Sequence, residues 1–199
     1  MPKRLFIAIN LPKNVKDRIH DEVEHHLRPV FGQEIRFVHP DNWHITLAFL
    51  GGQKDDLLEI IQHAMARVAE KSSSIHLEFD RVCYGPPRLG EADPPKRDAS
   101  MIWLMGTKSA AKQLNKISEQ LITELKDRKI SFKIEHRPLA THITLLRFGR
   151  SEKFPRVLPL IEKKVSISFT AGQIDLMEST LNTPAGSDYK VIFSTSFKK

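Results

Sequence analysis

Two stretches, His44-Ile45-Thr46-Leu47-Ala48-Phe49-Leu50-Gly51 and His142-Ile143-Thr144-Leu145-Leu146-Arg147-Phe148-Gly149, share the tetrapeptide His-Ile-Thr-Leu, the second histidine standing 98 residues after the first (142 − 44). A short repeat alone carries a real false-positive risk. Here the surroundings repeat as well. A proline stands four residues before each histidine (Pro40, Pro138), and a glycine follows each by seven (Gly51, Gly149) behind a bulky apolar residue (Leu50, Phe148). The chain reads as two copies of one unit.

Both stretches are rich in β-branched and apolar residues and end on a turn-forming glycine, which predicts short strands. Successive strand side chains point to opposite faces. His44 and Thr46 therefore share one face and Ile45 and Leu47 the other; His142 and Thr144 oppose Ile143 and Leu145 in the same way. Two such strands about a pseudo-two-fold axis would line one cleft with two imidazoles and two hydroxyls. One neutral and one protonated imidazole can act together as base and acid. The threonine hydroxyls can donate hydrogen bonds to phosphate oxygens. Arg147 would suit phosphate through its planar guanidinium, where the first copy has Phe49. Simple alternation puts Arg147 opposite His142, so its contact with the cleft requires a bulge or a strand end.

The strand and helix pattern repeats with the motifs. Arg4–Ile9 is a buried-strand candidate. Pro12 can then open a helix whose Val15, Ile19, Val23 and Leu27 form a stripe, leaving His20, His25 and His26 to solvent. A polar connection carrying Phe37 and Val38 leads to the first histidine strand. Asp55–Glu70 reads as a helix with Leu58, Ile61, Met65 and Val68 inward, and Ile75–Val82 as an alternating strand. Residues 85–100, with four prolines and two glycines, form a joining loop. The pattern then restarts: Met101–Met105 is a strand and Ser109–Arg128 a helix with Leu114, Ile117, Leu121 and Leu125 on one side. Ile102 lies 97 residues after Leu5 (102 − 5), close to the 98 of the histidines. Glu152–Lys163 reads as a proline-interrupted helix. Val165–Phe169, Ile174–Leu181 and Tyr189–Thr195 read as closing antiparallel strands. The expected architecture is α+β and bilobed, with duplicated βαβ-like units and antiparallel sheets around a central cleft. It forms a single two-lobed domain, 1–199, whose repeat halves are approximately 1–90 and 100–199.

With 199 residues, 40% apolar and 28% charged, the chain has the composition of a folded globular protein rather than a disordered one. Its net charge of +7 favours anionic partners, nucleic acid among them. Cys83 is the only cysteine, which excludes an intramolecular disulfide and a cysteine-based zinc site. No charged segment followed by an apolar stretch opens the chain, and no apolar run approaches about 18 residues. A soluble cytoplasmic protein with no membrane contact is expected. A histidine-held metal fits poorly, with no His-Glu-x-x-His and no carboxylate at either motif. His39 and His136 lie near the motifs but at different offsets. A serine hydrolase lacks its Gly-x-Ser-x-Gly.

These residues resemble the two-histidine phosphoesterases, specifically the RNA 2′,3′-cyclic phosphodiesterase family historically called 2′-5′ RNA ligases. The resemblance runs from Arg4-Leu-Phe-Ile-Ala-Ile-Asn-Leu-Pro12 through both motifs and Met101-Ile-Trp-Leu-Met-Gly106 to Leu176-Met-Glu-Ser-Thr-Leu181 before Tyr189. It implies hydrolysis of RNA terminal 2′,3′-cyclic phosphates, or small cyclic nucleotides, to 2′-phosphomonoesters without metal or cofactor. By the same resemblance His44 is the proton donor to the leaving 3′-oxygen, His142 the proton acceptor from water, and Thr46 and Thr144 bind the phosphate. The motifs' symmetry leaves the two histidine roles exchangeable. The family often carries an arginine just before the Trp-containing strand, where this chain has Asp98-Ala99-Ser100, with Arg97 beside them. Two other readings stay open: 2′-5′ RNA ligation, which is the reverse reaction, and a non-catalytic nucleotide- or RNA-end-binding module. Internal two-fold symmetry makes a monomer the expected state.

Overall fold

In the computed structural model, residues 2–32, 35, 37–85, 100–134, 139–148, 159–161, 163–182 and 186–198 are described. Pro138, Gly149, His136, Arg97 and residues 86–99 of the joining loop lie outside them. The described strands form two four-stranded antiparallel sheets. The first has the order β2 (His44–Gln53), β1 (Lys3–Asn10), β7 (Gln173–Asn182), β8 (Gly186–Ser196); the second has β5 (His142–Arg147), β4 (Met101–Gly106), β3 (Ile75–Gly85), β6 (Lys163–Ala171). Each histidine strand is thus an edge strand paired to its own half's opening strand. The α+β architecture expected from the patterning is the one present.

The sheets do not follow the halves of the repeat. The first sheet takes the first two and last two strands of the chain, and the second takes the middle four. Gly172 alone separates β6 from β7, so the chain passes from one sheet to the other through a single residue. All of this rests on one continuous apolar core. It joins Leu5, Ile7 and Ile9 of β1 to Ile102 and Leu104 of β4, together with the inner faces of the helices.

The helices follow their apolar stripes. α1 (Lys13–Glu22) buries Val15 and Ile19 and continues through an underwound π turn, Val23–Leu27, into α2 (Arg28–Phe31). Residues spaced strictly by four drift about 40° per step around a 3.6-residue helix. The π turn takes up that drift, and Val23 and Leu27 stay buried. α3 (Leu58–Glu70) buries Ile61, Met65 and Val68, with Leu58 at the rim. α4 (Lys108–Asp127) buries Leu114, Ile117, Leu121 and Leu125 and is capped by the Thr107 hydroxyl, which accepts from Ala110 N–H at 3.2 Å.

One expectation changes. Of the helix expected over Glu152–Lys163, residues 152–158 and 162 lie outside the described set. Residues 159–161 form no helix, and Lys163 instead opens β6 opposite Val82. The unpaired edge of β3 offers Lys163 a ladder, and Glu22 holds its ammonium at 2.7 Å.

Both histidine strands carry a β-bulge at the same place. On β1, Ala8 pairs with Thr46 and Ile7 with Ala48, leaving Leu47 as the extra residue. On β4, Trp103 pairs with Thr144 and Ile102 with Leu146, leaving Leu145. A bulge frees backbone groups that must find other partners. Each freed carbonyl is satisfied from the opposite half of the chain. The buried Ser118 Oγ on α4 donates to Leu47 O at 2.7 Å, and Val38 N–H donates to Leu145 O at 2.8 Å. Ser118→Ala should cost about 1–3 kcal/mol, because it leaves a buried carbonyl unpaired. Urea denaturation monitored by circular dichroism checks this; an unchanged midpoint would contradict it.

Candidate active site

Each motif histidine is held by the same local device. Its Nδ1 lies against the backbone carbonyl two residues earlier: His44 against Asn42 O at 2.7 Å, His142 against Ala140 O at 2.6 Å. A carbonyl only accepts, so Nδ1 carries the hydrogen in both rings. Nε2 is then the nitrogen of each ring that can accept a proton when neutral and donate one when protonated. For His44 the carbonyl is presented by the 3₁₀ turn Pro40–Asn42, which is tied to β8 by Asn42 Nδ2 donating to Ser187 O at 3.0 Å.

The two rings share one electrostatic site. His44 is pushed down to about 4, first by burial, against the raising effect of its bond to Asn42 O. The positive charges of Arg147, His142 and Lys16 lower it further. Arg147 and His142 belong to the other sheet, so the two histidine strands lie near enough for these charges to act on the His44 ring. His142 is also lowered, by burial and then by Arg147, against the bond to Ala140 O.

Thr46 and Thr144 lie on the faces of their histidines, partly exposed, while Ile45, Leu47, Ile143 and Leu145 are buried. Beyond the threonines the bulges set which side chains reach the cleft. An extra residue resets the alternation, so Ala48 and Leu146 turn to the core, and Phe49 and Arg147 are exposed on the side of the strand that carries the histidines. Arg147 thus meets the condition that simple alternation left open. Its NH1 approaches Met101 Sδ at 3.4 Å. Phe49 is 59% exposed, with its ring 6.2 Å from Phe6.

Several neighbours of the site were not singled out from the sequence. The His44 ring lies 5.0 Å from Phe6 and 5.1 Å from Tyr189, perpendicular to the latter. His142 lies flat on Trp103, the centroids 3.8 Å apart and the planes 20° from parallel. Asn10 pairs with His44 in the ladder, and its Nδ2 donates to Asp175 Oδ2 at 2.8 Å. Asp175 is 1% exposed and also accepts from Ser194 Oγ and Gln173 Nε2, so its carboxylate is satisfied by three donors. The signal for these residues was strand pairing: Phe6 and Asn10 alternate on the face opposing His44, but only the register shows it. His39 is exposed and accepts from Asp41 N–H at 3.3 Å. His20, His25 and His26 are exposed, as expected. Among the described residues, no three His, Cys, Asp or Glu side chains converge as metal ligands would, and no helix is long and apolar enough to cross a membrane.

A family model described as LigT like Phosphoesterase matches residues 9–95. An RNA 2′,3′-cyclic phosphodiesterase of Archaeoglobus fulgidus is 28% identical over 192 residues, covering 94% of this chain and 96% of the relative. The solved structure of Escherichia coli LigT complexed with 3′-AMP has the same fold, with a TM-score of 0.74 over the whole of both chains at 22% identity. An RNA 2′,3′-cyclic phosphodiesterase of Escherichia coli strain K12 is 30% identical over 135 residues, 63% of this chain and 73% of its own length. By this identity and coverage, together with the family-model match, the chain belongs to the LigT-like phosphoesterase family.

Proposed function

We propose that this protein hydrolyses the 2′,3′-cyclic phosphate at RNA ends, or in small cyclic nucleotides, to a 2′-phosphomonoester by paired-histidine acid–base catalysis. The observation that carries this reading is the matched pair of rings, each fixed with Nδ1 on a carbonyl, which leaves Nε2 as the atom for proton transfer. His142 Nε2 takes a proton from water as its oxygen attacks phosphorus. His44 Nε2 gives a proton to the 3′-oxygen as the P–O3′ bond breaks. One proton enters the pair and one leaves it, and solvent exchange restores the starting state. Thr46 and Thr144 hydroxyls donate to the non-bridging oxygens, and the Arg147 guanidinium balances the charge that grows on them. No step needs a metal. The curated relatives above, named as RNA 2′,3′-cyclic phosphodiesterases, support the substrate class. A monomer in the cytoplasm suits a site that a single chain supplies in full.

Incubation with a 2′,3′-cyclic nucleotide should yield the 2′-monophosphate, identified by chromatography against both isomers. A 3′ product, or none, would overturn the assignment. His44→Ala and His142→Ala should each lower kcat by about 10²–10⁴-fold; near-normal turnover in either would remove that histidine from the chemistry.

The reaction needs one charged and one neutral ring. Both histidines are lowered from 6.5 and His44 the further, to about 4, so in the free enzyme the singly protonated pair is most populated on the acid side of 6.5 with its proton mainly on His142, and the anionic substrate must draw a proton onto His44 before that ring can donate. The profile of kcat/KM should therefore be a bell centred below 6.5, falling as the last proton leaves on the alkaline side. Bound phosphate is anionic and favours the charged rings, so the kcat profile should lie at higher pH. Steady-state rates at saturating and limiting substrate check both statements, and a kcat/KM optimum above pH 7 would contradict the first.

A further inference from the structure

The two motif histidines are held alike at Nδ1 but packed differently, and the difference centres on Trp103. The indole is 5% exposed and stacks on the His142 imidazole with centroids 3.8 Å apart. It is fixed independently of that ring. A side-chain carbon added at Gly85 would fall 2.3 Å from Trp103 Cδ2, 2.5 Å from Cε2 and 2.8 Å from Cε3, so the indole fills the space that any larger residue there would need. Its Nε1 donates to Met101 Sδ at 3.4 Å, the sulfur that Arg147 NH1 also approaches. Trp103 pairs with Thr144 across the bulge. Trp103 therefore stacks on His142, pairs with Thr144 and shares the Met101 sulfur with Arg147. In the first lobe the position facing Thr46 is Ala8, which offers no such platform.

We propose that Trp103 is the positioning residue for His142: seated over Gly85, it holds the imidazole flat with Nε2 aimed at the phosphate site. A face-on indole also attracts a cation through its ring quadrupole. The stack thereby stabilises the imidazolium that His142 becomes when it takes the proton of the attacking water. His44 has Phe6 tilted by 41° and Tyr189 perpendicular to it, neither of them stacked flat on the ring. The inference rests on the cyclic phosphodiesterase reading for its kinetic consequences, whereas the stack itself can be observed without turnover.

Three variants test it: Trp103→Leu, which fills volume without a π face; Trp103→Phe, which restores a face; and Gly85→Ala, which crowds the indole while retaining it. Trp103→Leu should lower kcat by about tenfold, with KM changed much less. The alkaline limb of its kcat/KM profile should move to lower pH by on the order of half a unit, as the imidazolium loses its partner. Trp103→Phe should recover most of both, and Gly85→Ala should resemble Trp103→Leu. Nuclear magnetic resonance of the imidazole carbon-bound protons supplies the readout that does not depend on activity. The ring-current shift of His142 should be present in the native protein, lost in Trp103→Leu, and reduced in Gly85→Ala, with His44 unmoved. An inactive native protein with the shift intact would count against the proposed function and leave the positioning role standing. Native pH profiles in folded Trp103→Leu, or equal losses in the Phe and Leu variants, would overturn it. Should Trp103→Leu fail to fold, the Gly85→Ala and Trp103→Phe comparison decides by the same criteria.

Discussion

The bulge that comes after each His-x-Thr is the constraint on which the site depends. Without the extra residue, strict alternation would carry Ala48 and Leu146 to the cleft and bury Phe49 and Arg147 in the core. Burying an unpaired guanidinium is prohibitively costly. The bulge lets each strand present three cleft-facing side chains in succession and still seal its apolar side. Its own demand is a carbonyl outside the ladder, and in each case the opposite half of the chain meets that demand. Ser118 and Val38 therefore brace the shape of the histidine strand that belongs to the other half.

This reciprocal bracing fits the way the sheets are assembled. Four central strands make one sheet, and the two strands at each end of the chain make the other, with Gly172 as the sole residue between β6 and β7. The connection before β2 also crosses over: Phe37 bridges Leu146 while Val38 bonds Leu145. The segment that delivers His44 is thus hydrogen-bonded to the strand that carries His142. A reaction that needs two rings on either side of one phosphorus gains from such coupling, because proximity and orientation are set in folding rather than at binding.

Much of this was legible from residue order. Period-two reading placed His44 with Thr46 and His142 with Thr144, and the apolar stripes placed the helices, because those inferences need only local geometry. What escaped has non-local causes. Nothing in Leu47-Ala48 or Leu145-Leu146 marks a bulge; it is visible only against Ile7-Ala8 and Ile102-Trp103 on the partner strands. The repeat offset shows the same limit. Sequence alignment pairs Ile102 with Leu5, but the ladder places Met101 where Phe6 stands (101 − 6 = 95). The two-residue difference keeps the faces and moves the neighbours. It is why Trp103 sits opposite Thr144 while Phe6 sits opposite Phe49. Lys163 escaped for a related reason, since its strand exists only because β3 has an edge to pair.

The two histidine strands are alike in backbone and unlike in the side chains around them, and the second property stems from the freedom that a repeated motif leaves. The carbonyl clamps, the threonines and the bulges are set by main-chain geometry, so both copies retain them. The side chains that those features project are under no such restriction. One sheet offers Phe6, Phe49 and Tyr189 around a ring pushed to low proton affinity by burial. The other offers Arg147, Met101 and an indole stacked on its ring. A symmetric pair of histidines would have no reason to favour one direction of proton flow through an asymmetric substrate. Difference in packing, around two rings each held at Nδ1 by a backbone carbonyl, would provide that reason in the proposed reaction.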